Sequence, residues 1–216
     1  MDSSFYERVP SRFSYIDHYW RMRDETTGEY PLYMTVRWGF VFSHYDNTVR
    51  VQLIGPRTKP DIAYYRVGEL FWGVTINADV NLATYTKRDI VNRIIELPCD
   101  NQTFQVAGVR LDIPGYEALD AFTGMLIEKD ILQAAPVAAV SHRDTQRKVK
   151  RFTGLTPKQI EQADRVEAAM TDMMSEPSLS VVAARAGFAD QAHMTRDFKR
   201  LVGYTPAEMQ RMFRET

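Results

Sequence analysis

Two short runs of guanidinium, carboxamide and ammonium side chains carry most of the chemistry this sequence offers. One holds Arg143, Gln146, Arg147, Lys150 and Arg151, and the other Gln191, Thr195, Arg196, Lys199 and Arg200. Arg and Gln present planar heads with paired hydrogen-bonding groups that match a base edge two bonds at a time, worth ~1–3 kcal/mol of discrimination each. Lys and Arg a turn further on suit phosphate oxygens, which fix position without reading sequence. Helical spacing puts each set on one face, with Ala192 beside Gln191 leaving room for a close approach. On a lone helix such a face is more often simply solvated.

Other chemistries find little support. The histidines are His18, His44, His142 and His193, with no paired ligand spacing and no cluster of cysteines. No Gly-rich phosphate loop and no nucleophile–base arrangement stands out, so no catalytic residue, metal or cofactor is expected. The one cysteine, Cys99, excludes an internal disulfide, fits a reducing compartment and has no basic neighbour to activate it.

The elements that must hold the two runs repeat. Residues 147–160 read RKVKRFTGLTPKQI and residues 196–209 read RDFKRLVGYTPAEM, an offset of 49 with Arg147/Arg196, Lys150/Lys199, Arg151/Arg200, Gly154/Gly203, Thr156/Thr205 and Pro157/Pro206 identical. Each copy is a basic helix, a glycine stop and a new helix opened by Thr-Pro. In the second copy Ser178 precedes a helix with Leu179, Val182, Ala183 and Ala186 on one face, and Gly187 suits the left-handed position that ends it. Asp190 caps the next helix, whose Met194, Phe198 and Leu201 point inward. Two helices across a tight glycine turn, the second polar and basic outside, fit a helix-turn-helix. In the first copy Ser141 and Asp144 form a capping box, Thr145, Val149 and Phe152 face inward, and His142 stays outside. Thr156-Pro157 with Gln159 then opens a long helix carrying Ile160, Ala163, Val166, Met170 and Met173, a rigid spacer between the units.

The run SLSVVAARAGFADQAHMTRDFKRLVGYTPAEM resembles the second half of the DNA-binding domain of AraC/XylS-type bacterial transcription regulators, and SHRDTQRKVKRFTGLTP resembles the end of its first half. The likeness covers roughly residues 116–213. It implies two recognition helices entering successive major grooves of double-stranded DNA, with RNA polymerase as a further partner. By position it assigns base contacts to Arg143, Gln146, Arg147, Gln191, Ala192, Thr195 and Arg196. Phosphate contacts fall to Ser141, Lys150, Arg151, His193, Lys199 and Arg200. Two departures touch the first unit: Ala139 stands where the pattern has glycine, and Pro136 inside a helix would cost ~3 kcal/mol. They keep open an alternative, a degenerate member acting as a protein-interaction or dimerisation module without an effector.

Composition is that of an ordinary globular chain of 216 residues, 44% hydrophobic and 25% charged, which suggests two domains. No apolar run approaches the ~20 residues of a membrane span and MDSSFYERVP does not read as a signal peptide, so a cytoplasmic protein is expected. The net charge of −1 divides into +3 for residues 137–216 and −4 for the rest, pointing nucleic acid at the C-terminal part.

The expected fold is α+β: an antiparallel β-rich sensor or dimerisation domain over 1–113, cupin-like or jelly-roll-like, then an all-α double helix-turn-helix domain over 114–216. Residues 1–15 read as a strand or arm. Strands are predicted at 32–42, 48–54, 62–67, 70–76 and 104–111. Thr86 and Asp89 should cap a helix with Ile90, Val91 and Ile94 inward. Pro114-Gly115 should open the first helix of the C-terminal domain, running to about residue 129. WGVTINADVNLATYTKRDIVNRIIEL resembles part of the β-rich domain that some of these regulators carry. Trp20, Tyr30, Tyr33, Trp38, Tyr64, Tyr65, Phe71 and Trp72 fit either a pocket for a small apolar effector or the packing of a small β domain. A homodimer is equally compatible.

Overall fold

The computed structural model describes residues 5–26, 28–134, 147, 150, 155–176 and 178–215. Its strands are β1 (Phe5–Pro10), β2 (Ile16–Arg23), β3 (Glu29–Leu32), β4 (Trp38–Tyr45), β5 (Thr48–Ile54), β6 (Asp61–Tyr64), β7 (Leu70–Ile76), β8 (Val80–Leu82), β9 (Ile94–Glu96), β10 (Thr103–Val106), β11 (Val109–Asp112) and β12 (Leu132–Ala134). The helices are α1 (Lys87–Ile90), α2 (Leu119–Glu128), α3 (Pro157–Met173), α4 (Leu179–Arg185), α5 (Gln191–Leu201) and α6 (Pro206–Glu215). This is the α+β layout expected, β-rich first and helical after.

Alternation along the strands builds the N-terminal half. A six-stranded antiparallel sheet runs β1-β2-β7-β4-β5-β9, and β3–β6, β8–β12 and β10–β11 form two-stranded ribbons. Successive side chains point to opposite faces, so one face collects Phe40, Phe42, Val51, Leu53, Trp72, Val74 and Ile76. These join Phe104, Leu111, Leu119, Phe122 and Leu126 in the main core. Phe42 lies opposite Trp72 in the β4–β7 register, with the rings stacked at 5.8 Å. Phe104 and Phe122 close on Phe42 edge-on. Aromatic pairs of this kind add about 0.5–1.5 kcal/mol each beyond area burial. Gly73 is required by crowding, because a Cβ there would sit 2.6 Å from the Phe40 carbonyl oxygen and 2.8 Å from the Trp20 ring.

Four expectations need correction. The run 104–111 is not one strand but the β10–β11 hairpin, turned at Ala107 and Gly108, which both take left-handed φ. The run 32–42 is not one strand: β3 ends at Leu32, β4 begins at Trp38, and residues 33–37 leave the sheet between them. The helix after Thr86 is a single turn. Asn92 takes a left-handed φ of 56°, its side-chain oxygen accepts from the Thr58 N–H, and Ile94–Glu96 pairs with β5 instead. Helix α2, preceded by a 3₁₀ turn at Tyr116–Ala118, exists as predicted, but Leu119, Phe122 and Leu126 are buried in the β-rich half. Strand β12, which follows it, pairs with β8. Both elements thus belong by packing to the N-terminal half.

A second core unites the helices. Ala163, Val166, Ala169, Met170 and Met173 of α3 share it with Val182, Ala183, Phe188, Met194, Phe198, Leu201, Val202 and Met209. Met34 and Val36 from the 33–37 segment are buried in that same cluster.

Candidate DNA interface and the adjoining cavity

Local signals set the second helix-turn-helix. Ser178 stands at the N-cap of α4, although its hydroxyl meets Ser180 and not the helix amides. Ala186 closes α4 and Gly187 adopts φ +78°. Phe188 N–H then donates to Ala183 C=O at 2.9 Å and Gly187 N–H to Ala184 C=O at 3.2 Å, satisfying two terminal carbonyls. Three residues on, the Asp190 carboxylate accepts from His193 N–H at 2.6 Å and starts α5. Gly203, at φ +90°, follows its end, and Thr205 with Glu208 boxes the start of α6. Thr156 and Gln159 make the same box at α3, so the repeated Thr-Pro is a repeated helix start.

Helix α5 buries Met194, Phe198 and Leu201, as its periodicity predicts. Gln191, Ala192, Arg196, Lys199 and Arg200 are exposed, and Thr195 is half-buried with its hydroxyl donating to Gln191 C=O at 2.8 Å. Arg196 enters no ion pair among the described residues. Lys199 and Arg200 do: Nζ lies 3.1 Å from Glu208 Oε2, and the guanidinium 2.7 Å from Asp197 Oδ1. Asp197, which the sequence reading passed over, is buried. His193 faces inward more than outward. Its ring sits edge-on to Phe188, Nδ1 accepts from Ala189 N–H at 3.4 Å and Nε2 lies 3.6 Å from Asp197. In the first unit Arg147 and Lys150 are helical and exposed. Ser141, Arg143, Gln146 and Arg151, like the Pro136 and Ala139 departures, lie outside the described residues.

The other face of the six-stranded sheet opens on a cavity of about 410 Å³ roofed by β3 and β6, within the ~300–1,000 Å³ usual for small-molecule sites. Of the eight aromatics singled out in the sequence, all but Trp72 line it. Trp72 is in the core and donates from Nε1 to Pro114 C=O at 2.8 Å. The lining is mainly apolar, with Arg37, Arg50 and Arg57 among its polar members. Burial pushes the Tyr30 phenol up to about 12 and raises Tyr6 and Tyr33 as well. All three line the cavity as protonated phenols.

One wall of the cavity adjoins a charged cluster that spans both halves. Arg37 reaches Asp17 at 3.1 Å, Asp164 at 2.8 Å and Glu167 at 3.0 Å. Arg8 meets Asp17 at 2.8 Å and donates to the Thr171 hydroxyl at 2.8 Å. Burial pushes Asp17 up, but the His18 hydrogen bond and the Arg37 and Arg8 charges outweigh it and hold the carboxyl below the usual range. Glu167 goes the other way, because burial outweighs both guanidiniums and raises it. Burial also lowers His18, keeping the ring neutral. Nδ1 then donates to Asp17 at 2.7 Å and Nε2 accepts from Thr75 at 3.2 Å. Asp17, His18 and Glu167 have atoms suited to a metal ion within 4.8 Å of one another, yet two guanidiniums already supply the counter-charge.

No helix among the described residues is long and apolar enough to cross a membrane. No curated protein matches the chain. Among solved structures it is similar to ToxT from Vibrio cholerae, at 12% identity and a TM-score of 0.47 over 98% of this chain and 99% of that one. ToxT from Vibrio cholerae O395 aligns at 12% identity and a TM-score of 0.48, covering 96% of this chain and 98% of that one. The same protein bound to (E)-4-(8-methylnaphthalen-1-yl)but-3-enoic acid aligns at 13% and 0.47, covering 98% of this chain and 100% of that one. Residues 134–212 match the family described as "Helix-turn-helix domain". Behind a β-rich N-terminal half, this chain carries a helix-turn-helix domain over residues 134–212.

Proposed function

We propose that the protein is a sequence-specific transcription regulator whose two recognition helices read successive major grooves, with α5 as the principal reader. The observation that carries this reading is the division of α5: a buried Met194–Phe198–Leu201 stripe fixes the helix, while Gln191, Ala192 and Arg196 stay exposed and in line. Gln191 and Arg196 pair with base edges and Thr195 flanks them. Arg143, Gln146 and Arg147 read the adjoining groove, about one helical turn (~34 Å) away. Lys150, Arg151, Lys199 and Arg200 hold phosphates, joined by Ser141 and His193. Lys199 and Arg200 must exchange their acidic partners for the backbone to do so. RNA polymerase, met while bound to DNA, and a second copy of the chain are further proposed partners; no catalytic role is proposed.

The cavity between the sheet and the β3–β6 ribbon takes a small, largely apolar effector. Its size and its aromatic lining, with phenol and guanidinium donors at the edges, support that reading. Selection of bound duplexes from a random pool, followed by salt-dependent anisotropy on the winner, tests the DNA function. Two enriched blocks one helical turn apart are the expected result. One block would confine reading to α5, and no enrichment with or without candidate effectors would overturn the proposal.

A further inference from the structure

We infer that residues 33–37 are the mechanical link between the cavity and the second recognition helix. This deepens the effector reading above and rests on it. The segment keeps the two-residue alternation of a strand without belonging to the sheet. Tyr33, Thr35 and Arg37 line the cavity, Tyr33 also packing against the edge of the helical core, whereas Met34 and Val36 are buried within that core. Ordinary strands send their two faces to a core and to solvent. Here one face lines a cavity while the other, with the Tyr33 ring and the Arg37 head, meets a different domain, so a displacement on the cavity side is passed to the helices.

The backbone ties the segment at both ends of this path. Thr35 and Arg57 exchange hydrogen bonds of 3.0 and 2.8 Å, anchoring it to the cavity wall. Met34 N–H donates to Leu201 C=O at 3.0 Å. That carbonyl lies in the last turn of α5, where no helical amide is available to satisfy it. The recognition helix therefore takes one of its C-terminal hydrogen bonds from the N-terminal half. Arg37 extends the link to the spacer helix through Asp164 and Glu167. A molecule that presses on Tyr33 or Thr35, or draws Arg37 away, alters the cap of α5 and the packing of Met34 and Val36 together. In free-energy terms the link operates only to the extent that the two positions of the segment bind the molecule differently.

The test uses the full chain. Ala63→Phe fills the cavity from β6, the ribbon partner of β3, and stands in for a ligand; Met34→Ala removes the plug from the helical core. Amide hydrogen exchange of residues 191–202 is followed in the parent, each single variant and the double variant, with far-UV circular dichroism to verify folding. Ala63→Phe is expected to change exchange at the end of α5 at least fivefold. Met34→Ala should cut that response below twofold, and Met34→Leu should retain it. If Ala63→Phe alters exchange in β3 and β6 but leaves 191–202 unchanged, or if the response survives Met34→Ala, the inference is wrong. Should Ala63→Phe unfold the domain, Ala63→Leu, a smaller filling of the same place, gives the same comparison. Coupled exchange in a chain that selects no duplex would keep the link and discard the DNA reading. Selective DNA binding without coupling would do the reverse.

Discussion

Lys199 Nζ and Glu208 Oε2 lie 3.1 Å apart, and the same oxygen accepts from the N–H and hydroxyl of Thr205. The Thr205 amide, more than Lys199, holds the Glu208 carboxyl down to about 2. One carboxylate thus caps α6 and restrains a cation of the proposed DNA face. Glu208→Gln separates these roles, since Gln159 fills the corresponding place in the first copy and completes its capping box. The expected result is an unchanged melt and tighter binding to every duplex, because Lys199 no longer has to leave a carboxylate to reach a phosphate. Unchanged affinity would remove Lys199 from the phosphate contacts.

Arg196 and Lys199 should fail differently when truncated. Arg196→Ala loses about 1–3 kcal/mol on the selected duplex and relaxes preference at one base pair, because a bidentate partner is gone. Lys199→Ala weakens all duplexes alike and flattens the salt dependence. Competition binding across single-base variants of the operator separates the two, and equal losses on every duplex would show that Arg196 reads no base.

The cluster around Arg37 predicts opposite pH signatures from its two carboxylates. Asp17 is depressed in the folded state, so its contribution is present above the usual carboxylate pKa of ~3.9 and is lost as pH falls through the folded value. Asp17→Asn should cost about 1–2 kcal/mol at pH 7, a difference that shrinks in acid. Glu167 is raised, so its charge opposes folding above its folded pKa. Glu167→Gln should raise the melting temperature at pH 8, and the gain should fade as pH falls and the parent carboxyl takes up its proton. Melts of Asp17→Asn from pH 7 down to pH 2, and of Glu167→Gln from pH 4 to 8, check the signs.

Gly187 holds φ +78° with open space around the position of a Cβ. Gly187→Ala therefore tests backbone strain without a clash and should cost about 1 kcal/mol, seen as a lower denaturant midpoint at unchanged slope. A neutral result would mean that the α4–α5 turn tolerates a side chain in the left-handed region.

The second helix-turn-helix was legible because its signals are local. Gly187, Asp190 and the Met194–Phe198–Leu201 stripe each act within a turn or two of their own position. Asp197 was overlooked because it reads as one more surface acid, while its burial comes from the fold around it. Ile90 and Ile94 suggested a helix through i,i+4 spacing, but Asn92 turns the chain so that Ile94 pairs in a strand. Helix α2 was legible as an element and not by its address, since Leu119, Phe122 and Leu126 would suit either core. The break at 33–37 was hidden for a related reason. The alternation in LYMTVRWGFVF is real, and the sequence does not say that Met34 and Val36 are covered by a domain more than a hundred residues away.

The Met34–Leu201 hydrogen bond bears on how this architecture can be recombined. A chimera that joins this C-terminal region to another N-terminal half would lose a donor for the last turn of α5 and two side chains from the helical core. The natural unit of exchange is therefore discontinuous: the helices together with residues 33–37. Grafting that pentapeptide along with the helical region is what would let a foreign sensing domain address the same DNA.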